Sequence, residues 1–193
     1  MTYKIAHLAD VHIKNLKYHY EYRHVFDQLY AILRKNEVDY IYIGGDIAHT
    51  KTQISPEFVQ LCSELFTNLA EIAPLYIILG NHDGNLRNKS RQDAITPIVN
   101  ALDNPNIHLL AAAGETIVTD DLAFNVLSVF DEDNWVKPSS ESRINISFYP
   151  GCVAGVQTDA GWVMEYGDHD VSIFAGHDFA MLGDIHKTNQ ILD

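Results

Sequence analysis

Aspartate, asparagine and histidine residues are concentrated in four short motifs of this sequence. The motifs read LADVH, GGDIAH, GNHD and LGDIHK, and the first three directly follow apolar runs. Carboxylate, imidazole and amide donors together suit Mn²⁺, Fe²⁺ or Zn²⁺, and a donor set without thiolates argues against a structural zinc site. The candidate donors are Asp10, His12, Asp46, His49, Asn81 and His82, with Asp184 and His186 in the fourth motif.

The strands and helices predicted before these motifs indicate that the donor side chains lie close together. The runs YKIAHLA, DYIYI and PLYIIL are typical of strands, and two segments of helical periodicity, 18–38 and 55–73, lie between them. Strands that alternate with helices form a parallel sheet through right-handed crossovers. The carboxyl ends of its strands share one edge, where α/β proteins place their active sites.

The second half of the chain has a different pattern. After one more helix, around DAITPIVNALD, the segments ETIVT, LAFNVLSVF, RINISFY and VSIFA predict short strands of a second sheet packed on the first. We expect one α/β domain over residues 1–193 that is incomplete at its C-terminus, because the chain ends in a polar stretch just after the fourth motif.

Composition narrows the class of protein. The chain is 47% hydrophobic and 20% charged, as in ordinary globular domains, and no apolar run approaches the roughly 20 residues of a membrane span. We therefore expect a cytoplasmic protein in which Cys62 and Cys152 are reduced thiols. The net charge of −13 excludes a generally basic surface. It leaves a local basic patch, a cationic partner chain or a substrate other than DNA.

A local basic patch is visible near the motifs. Six of the thirteen lysines and arginines lie in or just after the first three motifs, as a phosphate-binding rim would require. Tyr18, Tyr20 and Tyr22 alternate beside them, and either base stacking or packing in the core or a dimer would use them. The rim residues are Lys14, Lys17, Lys51, Arg87, Lys89 and Arg91.

The ordered motifs D-x-H, G-G-D-x-x-H and G-N-H-D resemble those of the calcineurin-like metallophosphoesterases. The segments GGDIAHTKTQISPE and GNHDGNLRNKSRQ, with the terminal G-x-x-H element, most resemble the SbcD-like DNA repair nuclease subunits. Phage versions, such as the T-even recombination endonuclease subunit, are particularly similar. The motifs run from residue 10 to residue 186, so the resemblance covers nearly the whole chain.

This resemblance implies a four-layer αββα sandwich with two metal ions, Mn²⁺ or alternatively Mg²⁺, that activate water for attack on a phosphodiester. His82 would orient the phosphate or protonate the leaving oxygen, and His49 would assist it. By position in the motifs, one ion would be held by Asp10, His12, Asp46 and His186, and the second by Asp46, Asn81 and Asp184.

Two residues depart from the family pattern. Asp184 stands where relatives have the first imidazole of a G-H-x-H element, which keeps a ligand. Pro150 stands where relatives have a histidine at a strand end, and its side chain cannot bind a metal. We therefore expect the second ion to bind more weakly than the first, with His177 as a reserve ligand.

The function that the resemblance implies is that of a DNA exo- or endonuclease subunit in repair and recombination. It would form a homodimer, work with an SMC-like ATPase and, if phage-encoded, act in the host cytoplasm. A small-molecule phosphoesterase of the same superfamily is one alternative. A catalytically impaired subunit that tethers DNA is the other, because of Pro150.

Overall fold

The computed structural model describes residues 2–155 and 169–185. The predicted mixed α/β fold with two sheets is confirmed. In chain order its elements are β1 (Ile5–Leu8), α1 (His19–Asn36), β2 (Tyr40–Ile43), α2 (Pro56–Ala70), β3 (Leu75–Ile77), α3 (Thr96–Leu102), β4 (Ile107–Leu109), β5 (Gly114–Thr119), β6 (Leu122–Val126), β7 (Ile144–Tyr149) and β8 (Phe179–Leu182).

The first sheet contains β1 to β4 in chain order, and all its strand pairs are parallel. Its three helices pack on one face, where Phe58 and Leu65 of α2 share a buried cluster with Ile43 of β2. The predicted start of α2 is confirmed, since the Ser55 hydroxyl accepts a hydrogen bond from the Phe58 amide at 3.2 Å. Successive crossovers on one face bring the ends of β1, β2 and β3 side by side.

The second sheet contains β5 to β8 and covers the other face of the first sheet. Its β5–β6 pair is antiparallel, while β6–β7 and β7–β8 are parallel. The two sheets meet through aromatic rings, and Tyr42 stacks on Phe148 with 3.7 Å between ring centres. The carboxyl end of β8 brings Asp184 of the fourth motif to the same edge as the first three motifs, where the Asp184 amide donates to Asp10 Oδ1 at 2.9 Å.

One strand prediction was wrong. The segment VSIFA was expected to be a strand, but Val171–Phe174 forms a 3-10 helix and the strand is Phe179–Leu182 instead. The Asp170 side chain accepts a hydrogen bond from the Ser172 amide at 2.6 Å, so a local cap competes with strand pairing. The β-branched residues of this segment favoured a strand, and the cap overrides them.

Three further expectations concern membrane spans, the two cysteines and the extent of the domain. No helix in the part of the chain that the structure describes is long and apolar enough to cross a membrane. Cys62 and Cys152 are both buried, and they do not form a disulfide. The extent of the domain over residues 1–193 stays a prediction.

Candidate metal centre

The chain segments after β1 and β2 run alongside each other beyond the end of the sheet. The His12 amide donates to the Asp46 carbonyl at 2.9 Å, and the Ile13 amide donates to the Ile47 carbonyl at 2.8 Å. These bonds extend the pairing of the two strands into their loops. The side chains of His12 and Asp46 are thereby held next to each other.

Three donor side chains form a cluster at this edge. One ligand atom each of His12, Asp46 and His82 lies within 4.8 Å of the others. His12 Nε2 is 3.9 Å from Asp46 Oδ2, and the His12 and His82 rings meet edge to face at 4.8 Å. One carboxylate with two imidazoles is a donor set that suits Zn²⁺, Fe²⁺ or Mn²⁺.

The surroundings of Asp46 show whether a cation fits this cluster. It is 2% exposed, and its Oδ1 accepts a hydrogen bond from the His82 amide at 2.8 Å. Its Oδ2 is also buried and has no hydrogen-bond partner within residues 2–155 and 169–185. Burial raises the pKa of this carboxyl, against the opposing effect of the His82 amide and of the nearby imidazoles. A cation on Oδ2 would supply the missing partner, so these residues fit a metal ion.

A second group of donors is rich in oxygen. Asn81 Nδ2 donates to Asp184 Oδ1 at 3.0 Å, and the Asp184 amide donates to Asp10 Oδ1 at 2.9 Å. Carboxylate and amide oxygens are hard ligands, of the kind that Mg²⁺ and Mn²⁺ prefer. The site therefore has one side with imidazoles and one side with oxygen donors.

Backbone strain is concentrated at the predicted ligands. Seven non-glycine residues of the described chain have a positive φ, and four of them are Asp10, His12, Asp46 and Asp184. This left-handed region is uncommon for residues other than glycine. Such strain persists where surrounding contacts over-determine the backbone, which is typical of functional sites.

Two glycines allow the loops to approach closely. Gly45 has a φ of +90°, and a Cβ atom there would lie 2.6 Å from the Gly80 amide nitrogen. A Cβ atom on Gly80 would overlap Asp46 Oδ1 and lie 2.5 Å from the Asp46 nitrogen. Any larger residue at position 80 would displace the carboxylate that the three-residue cluster shares.

Of the two histidines predicted to be catalytic, His82 belongs to the cluster and His49 lies beside it. His82 Nδ1 is 2.8 Å from the His49 carbonyl, which can only accept, so Nδ1 carries the proton. His82 Nε2 is then the basic nitrogen. The His49 ring is exposed, with its centre 5.8 Å from that of His12. His82, expected to be catalytic, thus also lies among the candidate ligands.

Two residues that support the site were missed by sequence reasoning. Asp83 is fully buried, and its carboxylate accepts hydrogen bonds from the Ala48 amide at 2.8 Å and the Gly80 amide at 3.0 Å. It ties the second motif to the third, and burial raises its pKa to about 7. The Tyr22 hydroxyl of α1 donates to the His12 carbonyl at 2.7 Å. The sequence signal for Asp83 was its position as the acidic residue at the end of the GNHD motif. No sequence signal indicated that Tyr22 supports the site.

Three more residues were named from the sequence, namely His186, Pro150 and His177. His186 is outside the described residues. Pro150 is buried directly after β7, whose last residue, Tyr149, accepts a hydrogen bond from the Gly183 amide at 3.0 Å. The use of His177 as a reserve ligand is wrong. His177 precedes β8, so about six residues at roughly 3.3 Å each separate it from the level of Pro150.

Of the residues predicted to form a basic rim, Lys51 contacts the third motif directly. Lys51 Nζ donates to the Asn81 carbonyl at 2.7 Å, and Lys14 Nζ lies 5.2 Å from the centre of the Tyr18 ring. Lys17 is exposed before α1. The loop after the third motif exposes the other three predicted rim residues, Arg87, Lys89 and Arg91. The Asn85 side chain accepts hydrogen bonds from two backbone amides of this loop.

The family-model comparison agrees with the fold. A family model described as calcineurin-like phosphoesterase matches residues 3–181. An uncharacterized protein of Acanthamoeba polyphaga mimivirus is 38% identical over 198 residues, which cover 95% of this chain and 14% of that protein. The crystal structure of the Pseudomonas putida nuclease MPE is similar with a TM-score of 0.43 and 19% identity, over 77% of this chain and 63% of that one.

Proposed function

Because the chain belongs to the calcineurin-like phosphoesterase family, we propose that it is a metal-dependent nuclease that hydrolyses phosphodiester bonds in DNA. The observation that carries the proposal is the cluster of His12, Asp46 and His82 at one sheet edge, next to which Lys51 donates to the Asn81 carbonyl. The cluster supplies metal-ion chemistry, and the rim supplies contacts for a polyanion. Phosphodiester hydrolysis in a nucleic acid uses both.

The resemblance assigns the candidate ligands to two cation positions that share Asp46. Asp10, His12, Asp46 and His186 would hold one ion, while Asn81 and Asp184 would share Asp46 with the other. Bound cations of this kind polarise the phosphoryl oxygen and lower the pKa of water. We propose Mn²⁺ for both positions, with Mg²⁺ as an alternative. The second ion would bind more weakly, since the Pro150 side chain offers no donor and the other ligands there are oxygens.

The role proposed for His82 follows from its hydrogen bond. With Nδ1 donating to the His49 carbonyl, the ring orientation is fixed and Nε2 is directed away from that bond. We propose that Nε2 binds a phosphate oxygen when protonated and delivers that proton to the leaving oxygen. His49 would position His82 through its backbone.

The proposed biological role, oligomeric state and partner come from the SbcD-like resemblance. We propose that the protein acts on DNA in repair and recombination, as a homodimer with an SMC-like ATPase and in a phage context. The rim would bind phosphates through Lys14, Lys17, Lys51, Arg87, Lys89 and Arg91.

Two other functions have a specific observation in their favour. The net charge of −13 favours a small phosphoester over a long polyanion, as in a small-molecule phosphoesterase. The buried Pro150 at the end of β7 favours an impaired subunit that tethers DNA.

One experiment separates these three functions. Purified protein with Mn²⁺ is given an end-labelled DNA duplex and, separately, bis(4-nitrophenyl) phosphate. A nuclease cleaves the duplex, a small-molecule enzyme turns over only the aryl diester, and a tethering subunit binds DNA without cleaving either. We expect Asp46→Asn to lower duplex cleavage by at least about 100-fold, as a lost metal ligand should.

Asp103→Asn is the matched control for that variant. Asp103 is also an aspartate with a left-handed backbone, but it lies at the end of α3, away from the cluster. Its replacement should leave cleavage unchanged. Equal losses in the two variants, or full activity of Asp46→Asn, would contradict the proposed site.

A further inference from the structure

The segment of residues 14–20, which we call the Lys-Tyr segment, has a composition unlike the rest of the chain. It reads KNLKYHY and contains two lysines, two tyrosines and no acidic residue, in a protein whose net charge is −13. It begins two residues after His12 and ends in the first turn of α1. The segment therefore closely follows a candidate metal ligand in the chain.

The two tyrosines of this segment do not contribute to the core. Tyr20 is 81% exposed and Tyr18 is 56% exposed. Tyr22, two residues further on, instead hydrogen-bonds the His12 carbonyl and packs against the helical core. Of the three alternating tyrosines, one therefore has a structural use, and two present their rings to solvent.

The backbone at Tyr18 is strained in a way that its surroundings maintain. Tyr18 has a φ of 64° and a ψ of 21°, and a left-handed conformation is unusual for a bulky residue. The Tyr22 amide donates to the Tyr18 carbonyl at 2.9 Å, and His19 Nε2 donates to the Lys14 carbonyl at 2.7 Å. These bonds fix the segment, so its exposed rings are presented from a defined backbone.

Cations accompany the exposed rings. Lys14 Nζ lies 5.2 Å from the centre of the Tyr18 ring, and Lys17 is exposed next to it in sequence. Exposed aromatic faces beside cations are what single-stranded nucleic acids require, since bases stack on the rings and phosphates pair with the charges. Protein interfaces, by contrast, are depleted in lysine.

We propose that the Lys-Tyr segment binds unpaired nucleotides of single-stranded DNA. Bases stack on Tyr18 and Tyr20, and backbone phosphates bind Lys14 and Lys17. This inference rests on the proposed nuclease function and deepens it, because it names an unpaired strand as the substrate part next to the metal centre. Stacking is tolerant of sequence, so the segment selects strand geometry rather than a base order.

Fluorescence anisotropy tests this inference with the whole chain in EDTA, where cleavage is prevented. The probes are a labelled thymidine oligomer of about 20 nucleotides, longer than one binding site, and a blunt duplex of equal length. Tyr20→Leu and Tyr18→Leu keep apolar bulk but remove the π face. Each should weaken single-strand binding by a factor of about 5 to 100, and duplex binding by less than about 2.

Two further variants keep the test specific. Tyr20→Phe retains the ring and should restore single-strand affinity, and Phe179→Leu alters an aromatic that is 61% exposed in β8 and should have no effect. The paired substitution of Lys14→Gln and Lys17→Gln should reduce the salt slope of single-strand binding by about 1.4, or 0.7 for each charge. Thermal melts verify that each variant folds.

Three results would overturn the inference. They are unchanged single-strand affinity in both leucine variants, no single-strand binding by the wild-type protein, and a change of oligomeric state in sedimentation that leaves affinity intact. The last result would make the segment a protein interface. If wild-type protein binds the oligomer but hydrolyses neither DNA nor bis(4-nitrophenyl) phosphate with Mn²⁺, the proposed nuclease function fails while this inference stands.

Discussion

Replacement of Asp83 tests whether one buried carboxylate holds two metal loops together. In Asp83→Ala, the amides of Ala48 and Gly80 both lose their acceptor inside the protein. Each buried amide left without a partner costs about 1–3 kcal/mol, so the two together cost about 2–6 kcal/mol. Burial raises the pKa of Asp83 to about 7, which shows that desolvation already offsets part of the stabilisation. We therefore expect the lower half of that range, about 2–4 kcal/mol.

Urea unfolding monitored by circular dichroism measures this loss, in EDTA and again with Mn²⁺. Asp83→Asn keeps one acceptor oxygen and should lose about half as much stability as Asp83→Ala. Asp93→Ala is the matched control, since Asp93 also accepts from two backbone amides, those of Ile95 and Thr96, but at the start of α3. Its loss should be about 0.5–2 kcal/mol, as for other helix caps, without a change in Mn²⁺ affinity.

The Asp83 variants should also bind Mn²⁺ at least about 10-fold more weakly, because Asp46 and Asn81 lie on the two loops that Asp83 joins. A destabilisation of Asp83→Ala no larger than that of Asp93→Ala, with unchanged Mn²⁺ affinity, would refute the reasoning.

Three other perturbations have defined outcomes. Tyr22→Phe removes the hydrogen bond to the His12 carbonyl and should cost about 1 kcal/mol in urea unfolding and about 10-fold in Mn²⁺ affinity by calorimetry; unchanged affinity would leave Tyr22 a purely structural residue. Burial lowers the pKa of His177 from 6.5, so its stabilisation is complete above pH 6.5 and is lost as pH falls through the lowered pKa. As pH falls below 6.5, the His177→Gln variant should thus lose stability less steeply than wild type, by at most about 1.4 kcal/mol per pH unit in urea unfolding at a series of pH values. Pro150→His should increase the affinity of the second site for Mn²⁺ by about 10-fold or more. Full occupancy of both sites in the wild-type protein at low metal concentration would contradict a weak second site.

The elements that could be predicted are those whose signals are local. The helices α1 and α2 follow from apolar periodicity and, in α2, from the Ser55–Pro56 start. The parallel order of β1 to β3 follows from the helices between them. Convergence of the first three motifs at one edge is a consequence of that topology, so it too was accessible from sequence.

Other features were not accessible, because one depends on a local cap that overrides strand propensity and two depend on contacts between distant residues. The 3-10 helix Val171–Phe174 forms because Asp170 caps it, although its β-branched residues favour a strand. The bond from Tyr22 to His12 depends on how α1 lies against the first loop. Asp83 is adjacent to a predicted catalytic residue, yet its partners lie in another loop and in the backbone of its own, which sequence spacing does not reveal.

The central claim is that separate loops converge to bind divalent cations at Asp46. Anomalous scattering from crystals soaked in Mn²⁺ tests it most directly. We predict a peak in contact with Asp46 Oδ2 and the His12 imidazole, at distances of about 2.0–2.2 Å. Crystals without any Mn²⁺ at this edge of the sheet, or with the ion bound only elsewhere on the protein, would contradict the account.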